Sequence, residues 1–368
     1  MNRTNHSAIR TLQAVAILVI LLPVPLLAEK LLKPDREAVE PTVEQRVLIA
    51  EGIRMHEAGQ YEKAISAYKQ VLEQSPEVAG VMYELAYSYY AKGDLENALR
   101  TARIGTHYRT PLLPQLHMLV ASVLDDQGKS EEAIELYRAA IKSEPDFALL
   151  HFNLALTLFR NANYTEAKSS LELSVVLDPD HASSHLALAT LYDKLGYPVP
   201  SVMALSRFLL IERNSPRSQA ALSALHGLIG GNVTRNPDSG NLTIQMTSTG
   251  KPRKDEGDFE GIDLAFSIAT AAAQIATQNK ESTPFKLLAA NYAVMAELLS
   301  QRKRKGFAME YYSPFFIEMD KQGLTDAFAY RVHQSEKIQG MSEWAQTESD
   351  KLRAFDSWLK DYSWPKLR

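Results

Sequence analysis

The chain of 368 residues contains no cysteine. That excludes disulfides, thiolate catalysis, cysteine-ligated zinc and a cysteine-anchored lipid. It suits a bacterial envelope protein without requiring one. An excess of charge is also missing: 40 Lys and Arg against 44 Asp and Glu leave a formal net charge of −4. Bulk nucleic-acid binding needs a basic surface, so no nucleic-acid partner is expected. No GxSxG, Walker A, GxGxxG or HExxH motif occurs, so no nucleophile elbow, phosphate cradle, dinucleotide loop or zincin helix is indicated. The expectation is a protein that is not an enzyme and carries no cofactor. At roughly 100–200 residues per domain, the length allows about two domains.

The first residues differ from the rest. "MNRTNHSAIR" carries Arg3 and Arg10 and no acid, and an uncharged apolar run follows from Thr11 to Ala28. This is the charged and apolar order of an export signal. Pro23 and Pro25 would break a helix near its end, and Ala28 is an acceptable small residue at a cleavage point. The run is also close to the ~17–25 residues needed to span a bilayer. Residues 1–28 are thus read as a signal peptide or an N-terminal membrane anchor. Either places the rest of the chain in the envelope or periplasm.

What is abundant is a pattern. "AGQYEKAISAYKQVLEQSP" from Ala58 recurs as "AKGDLENALRTARIGTHYRTP", "DQGKSEEAIELYRAAIKSEP" and "NANYTEAKSSLELSVVLDP". Ala64, Ala98, Ala133 and Ala167 are separated by 34, 35 and 34 residues, and Pro76, Pro111, Pro145 and Pro179 by 35, 34 and 34. A weaker fifth copy has Ser201 in the alanine position. Each unit reads as two helices, the second stopped by its proline. Gly52, Ala86, Ala121, Ala155 and Ala189 fall where the two helices cross. Small side chains there let the axes approach to about 8–10 Å. Ser215, Pro216 and Gly230 bound a further helix, read as the cap that solenoids need.

The period and the small–turn–alanine–aromatic–proline order resemble the tetratricopeptide repeat family over roughly residues 43–216. The resemblance implies an all-α fold, a right-handed superhelix of about five helix pairs. Its concave face, formed by the first helix of each pair, binds a protein or peptide segment. Carried onto this chain, the groove positions are Ile49, Ile53 and His56, then Tyr83, Tyr87 and Tyr90, then Met118, Ser122 and Asp125. Phe152, Leu156 and Phe159 follow, and then Leu186, Thr190 and Asp193. A subclass that grips a C-terminal carboxylate has Lys, Asn and Arg at such places; Ile49, Ile53, Tyr83 and Tyr87 here argue against that mode. The apolar groove is filled either by a partner or by the chain itself, through residues 31–42 or the C-terminal domain.

His117, His151 and His185 recur every 34 residues. Neighbouring repeats set them about 10 Å apart, too far for one zinc with bonds near 2 Å, so packing is expected and no metal site. His181 and His185 share a helical face but lack a third ligand. Residues 43–229 are thus the array with its cap, and residues 230–262 read as a linker. Within it the alternation of Leu242, Ile244 and Met246 reads as a short strand or hairpin arm, and the acidic "DEGDFEGID" is read as solvated rather than as a calcium loop. Residues 263–368 read as a smaller helical C-terminal domain of no recognised family. It contains "RKRK", a helix end or an anionic contact, all three tryptophans, and the densest aromatic stretch around Tyr311–Phe316. That stretch is the alternative binding surface. A ligand-binding or hydrolase-like C-terminal domain, using His333, Glu318, Asp320 or Tyr312, is the alternative function.

Overall fold

The computed structural model describes residues 33–230, 233–236, 241–244, 255–259, 261–278 and 282–367. The signal or anchor reading falls on residues 1–28, outside the described residues. Among those described, no helix is long and apolar enough to cross a membrane.

A short strand, β1 (Arg36–Glu37), precedes five helix pairs. These are α1 (Val43–Glu57) with α2 (Tyr61–Gln74), and α3 (Ala79–Lys92) with α4 (Leu95–Gly105). After strand β2 (Tyr108–Arg109) come α5 (Leu113–Asp126) with α6 (Ser130–Ser143), α7 (Ala148–Arg160) with α8 (Tyr164–Leu177), and α9 (Ala182–Leu195) with α10 (Pro198–Ile211). Helix α11 (Pro216–Gly230) closes the array. A hairpin of β3 (Val233–Arg235) and β4 (Leu242–Ile244) follows, antiparallel, so the expected segment is a hairpin arm. The remainder is helical: α12 (Ile262–Gln278), α13 (Pro284–Ser300), α14 (Phe307–Tyr311), α15 (Ser313–Lys321), α16 (Thr325–Val332), α17 (Met341–Thr347) and α18 (Ser349–Asp361).

The array starts with a capping box. The Gln45 amide donates to Thr42 Oγ1 at 3.3 Å, and the Thr42 amide donates to Gln45 Oε1 at 3.0 Å, satisfying two otherwise orphan donors. The small residues lie at the crossings. A Cβ on Gly52 would sit 2.4 Å from the Tyr68 ring, and Ala64, Ala86, Ala98, Ala121, Ala133, Ala155, Ala167 and Ala189 are wholly buried. Ser201 takes the alanine place in the fifth pair because its hydroxyl donates to the Ala189 carbonyl at 2.9 Å. The turn inside the fourth pair puts Ala162 at φ 58°, where the other pairs use glycine.

Successive first helices touch, α1 with α3, α3 with α5 and α5 with α7, whereas successive second helices stay farther apart. The first helices therefore line the inner side of the curve. Residues 33–42 run across the junctions between pairs. β1 pairs in parallel with β2, the Val39 amide donates to the Glu77 carbonyl at 3.0 Å, and Ala38 packs on Ala79, Met82 and Tyr108.

The C-terminal helices share one continuous core with the array. Twelve of the fourteen residues of α10 are buried, because α10 is enclosed by α9, α11, α12 and α16. The Tyr311 hydroxyl donates to the Val175 carbonyl on α8 at 2.6 Å, and the Tyr312 hydroxyl lies 2.8 Å from His185 Nδ1 on α9. Trp364 stacks on Tyr311 and Phe315, with the Arg207 guanidinium 4.8 Å from its ring centre. The stretch Tyr311–Phe316, expected as a second binding surface, is therefore core: Tyr311, Tyr312, Phe315 and Phe316 are at most 1% exposed.

The acidic stretch before α12 is a second correction. Glu256 is 1% exposed. Its carboxylate accepts from the Lys168 ammonium, from the Tyr192 hydroxyl at 3.1 Å and from the Ala308 amide at 3.3 Å. Asp255 accepts from the Tyr197 hydroxyl at 2.6 and 2.7 Å, and Asp258 pairs with Arg302 at 3.5 Å. Glu256 and Asp255 fasten this stretch to the array; Glu256 is buried, whereas Asp255 keeps the exposure expected from the sequence. Gly306 crosses this point at φ 97°; a Cβ there would sit 2.4 Å from the Asp255 carbonyl oxygen, so only glycine fits.

Candidate functional site: the inner face of the first helices

The first helices of the first two pairs build the most open part of the inner face. The His56 ring, from α1, lies over Tyr87 of α3 with ring centres 4.8 Å apart, and Tyr87 lies parallel to Tyr83 at 6.0 Å. His56 Nδ1 is held at 2.8 Å from Ser88 Oγ. Burial lowers the His56 pKa, so the neutral ring is favoured. Ile53 is 37% exposed and Tyr87 42%, while Ile49 and Tyr83 are half-buried beside them.

Further along, the expected groove residues are half-buried and held by neighbours. The Tyr90 hydroxyl donates to Asp126 Oδ2 at 2.6 Å; burial, and then this bond, push its pKa up. Met118 sulfur accepts from Asn153 Nδ2 at 3.3 Å. Phe152 meets His181 edge-on at 4.9 Å and Phe159 meets Tyr164 at 5.5 Å. Leu156 is half-buried, and Thr190 and Asp193 are exposed. Asp125 does not face a ligand. It is buried, accepts from Ser130 Oγ at 2.6 Å and Thr157 Oγ1 at 2.9 Å, and pairs with Arg160. Burial alone would raise its pKa; these three donors outweigh burial and hold it below the usual range.

The periodic histidines serve the turns. His151 Nε2 lies 2.8 Å from the Pro145 carbonyl, and His185 Nε2 lies 3.0 Å from the Pro179 carbonyl. Each thus caps the proline that closes the preceding unit. With Nδ1 on Tyr312, His185 has both ring nitrogens engaged, and His181 Nδ1 is taken by Ser184 Oγ at 2.6 Å, so this pair cannot share a metal. His117 is the exception: its buried Nε2 has no hydrogen bond, and burial lowers its pKa to about 4.

Sequence reasoning named His333 but missed the cluster it belongs to. His226 on α11, His333 at the end of α16 and Glu336 in the next turn bring their ligand atoms within 4.8 Å of one another. The His333-x-x-Glu336 spacing was visible, but His226 is 107 residues away. Of the alternative catalytic residues, His333 belongs to this cluster, whereas Tyr312 is bound to His185 and Asp320 accepts from Thr325 Oγ1 at 2.8 Å.

Stacked helix pairs with small crossing residues and an inner face of first helices define a helical-hairpin solenoid. Residues 55–123 match the family model "Tetratricopeptide repeat", and residues 115–171 match "Surface lipoprotein assembly modifier, N-terminal TPR repeats". The array is a tetratricopeptide-repeat scaffold. It is 30% identical over 121 residues to the TPR repeat-containing protein YpiA of Bacillus subtilis (33% of this chain, 28% of that protein). It is 25% identical over 133 residues to a BBSome complex member BBS4 homolog of Drosophila melanogaster (36% and 27%). The chain therefore spans little more than a quarter of the length of these relatives. Among solved structures, the TPR protein TTC0263 of Thermus thermophilus has TM-score 0.44 at 21% identity, covering 49% of this chain and 98% of that one. The pilF protein of Pseudomonas aeruginosa has TM-score 0.43 at 19% identity, covering 50% and 88%.

Proposed function

We infer that this chain is an exported scaffold or adaptor of the cell envelope, which holds a protein or peptide segment along the inner face of its repeats. The observation that carries the reading is the column His56–Tyr87–Tyr83 with Ile53 beside it. Here rigid rings and an aliphatic side chain are presented on the inner face of the array. Such rings give contact area at low entropy cost and are frequent anchors of binding energy. Export rests on Arg3, Arg10 and the apolar run to Ala28. The match to repeats of a surface lipoprotein assembly modifier supports a place in the envelope.

The test is a pull-down with the exported form, against the double variant Tyr87→Ala with Phe152→Ala. Loss of partner capture with an unchanged helical signal is expected. Central anchors cost at least ~2 kcal/mol when truncated, about thirtyfold in affinity. Undiminished capture by a folded double variant would move the binding surface elsewhere. Location is tested separately: a reporter fused after Arg368 that works only in the cytoplasm should be silent, and mass spectrometry of the mature N-terminus distinguishes cleavage from a retained anchor. The ligand-binding or hydrolase-like alternative for the C-terminal helices must be screened on the whole chain, because Glu256, Tyr311 and Tyr312 are buried against the array.

A further inference from the structure

We propose that His226, His333 and Glu336 form a binding site for a divalent transition metal of the zinc class, which clasps the capping helix α11 to the end of α16. His226 Nε2 lies 3.3 Å from His333 Nδ1 and 3.3 Å from Glu336 Oε2, and His333 Nδ1 lies 2.6 Å from Glu336 Oε2. Zinc bonds of about 2.0–2.2 Å at tetrahedral angles place neighbouring ligand atoms about 3.3–3.5 Å apart. Two of the three edges already have that length. The third is a direct hydrogen bond that opens by under ~1 Å when a metal replaces the shared proton. Glu336 lies in a half-buried turn that can make this adjustment.

The rings agree with the ligand atoms. The imidazole centres of His226 and His333 are 5.2 Å apart with planes 17° from parallel. An imidazole centre sits about 3.2 Å from a zinc it ligates, so two such rings at the tetrahedral angle have centres about 5.2 Å apart. The buried ligand is also oriented from behind, since His333 Nε2 is 3.1 Å from the Tyr292 hydroxyl. Metal-bound histidines regularly have such a partner on the other nitrogen. A phenol can donate or accept, so Tyr292 holds the ring in either tautomer.

The donor types suit a metal. Two imidazoles and one carboxylate favour zinc over calcium or magnesium, which prefer oxygen donors throughout. The His226 side chain is 45% exposed, which gives a metal access and leaves the fourth position to solvent.

The experiment uses the untagged full chain, stripped with EDTA, dialysed and titrated with zinc. One equivalent per chain is expected by elemental analysis and calorimetry, and cobalt in place of zinc should give a tetrahedral visible spectrum. His226→Ala and Glu336→Gln should each lower zinc affinity at least about tenfold, and Tyr292→Phe about tenfold or more. Circular dichroism of the metal-free variants confirms folding. If His226→Ala does not fold, the isosteric Glu336→Gln decides. Absence of stoichiometric zinc, or zinc retained unchanged by folded Glu336→Gln, overturns the proposal and leaves the cluster as a histidine–glutamate hydrogen-bond network.

Discussion

The two halves of this molecule are held together over different distances along the chain. In the array, Ser201 bonds to Ala189 at a separation of 12 residues, Ser122 to Tyr137 at 15 and Thr157 to Asp125 at 32. In the C-terminal half, Lys168 reaches Glu256 at 88 residues, His185 reaches Tyr312 at 127 and Tyr311 reaches Val175 at 136. A solenoid unit needs only its neighbours, so its stability is near a sum of local terms. The C-terminal helices have no such independence. Tyr311, Tyr312 and Trp364 are completed by groups on α8, α9 and α10.

The strongest way to break this contrast is Glu256→Ala. It leaves Lys168 without its closest buried partner, and removing one member of a buried pair typically costs about 3–5 kcal/mol. All three tryptophans lie in the C-terminal half, so fluorescence reports that half while circular dichroism is dominated by the array. In urea, the fluorescence midpoint should fall well below the dichroism midpoint; a single coincident transition would show that the halves remain one unit. Next in size, Ala133→Leu should overpack a crossing and cost about 1–3 kcal/mol, read mainly in the dichroism transition.

A further effect depends on pH. Burial, and then the neighbouring Glu256 charge, raise the Glu172 pKa to about 8. A carboxyl whose folded pKa is raised gives its full stabilisation below its unfolded value and loses it as pH rises through the folded value. Fluorescence-detected stability should therefore decline from about pH 5 to about pH 8, and Glu172→Gln should flatten the decline. The smallest change is Ala162→Gly. The left-handed conformation costs a residue with a Cβ roughly 1–2 kcal/mol, partly offset by the chain entropy of glycine. A gain of about 0.5–1 kcal/mol in the dichroism transition is expected, with fluorescence little changed.

The array was legible because its packing repeats. A small residue at each crossing and a proline at each exit write the helix-pair geometry into the sequence at a fixed period. Groove residues were legible only by position. Asp125 occupies an inward register, yet neighbouring Ser130, Thr157 and Arg160 turn it into a structural acceptor. Glu256 was not legible, since a Gly- and Asp-rich stretch looks solvated until Lys168 and Tyr192 are placed against it. The C-terminal helices carry local start signals, as with Thr283 capping α13 and Pro284 in its first turn. The face of the array they cover was not legible, because no local pattern encodes a contact more than a hundred residues away.

The short pairing of β1 with β2 has a mechanical consequence. The amides of Asp35 and Arg36 both donate to the His107 carbonyl at 3.0 Å, and Val39 donates to Glu77. Tension applied to the chain at Lys33 would enter the molecule at the exit of the second helix pair, not at the start of α1. The first pair would sit slack in a side loop, carrying no load until those few backbone bonds gave way. The order of rupture would then be this clasp first, and the face bearing His56 and Ile53 only afterwards.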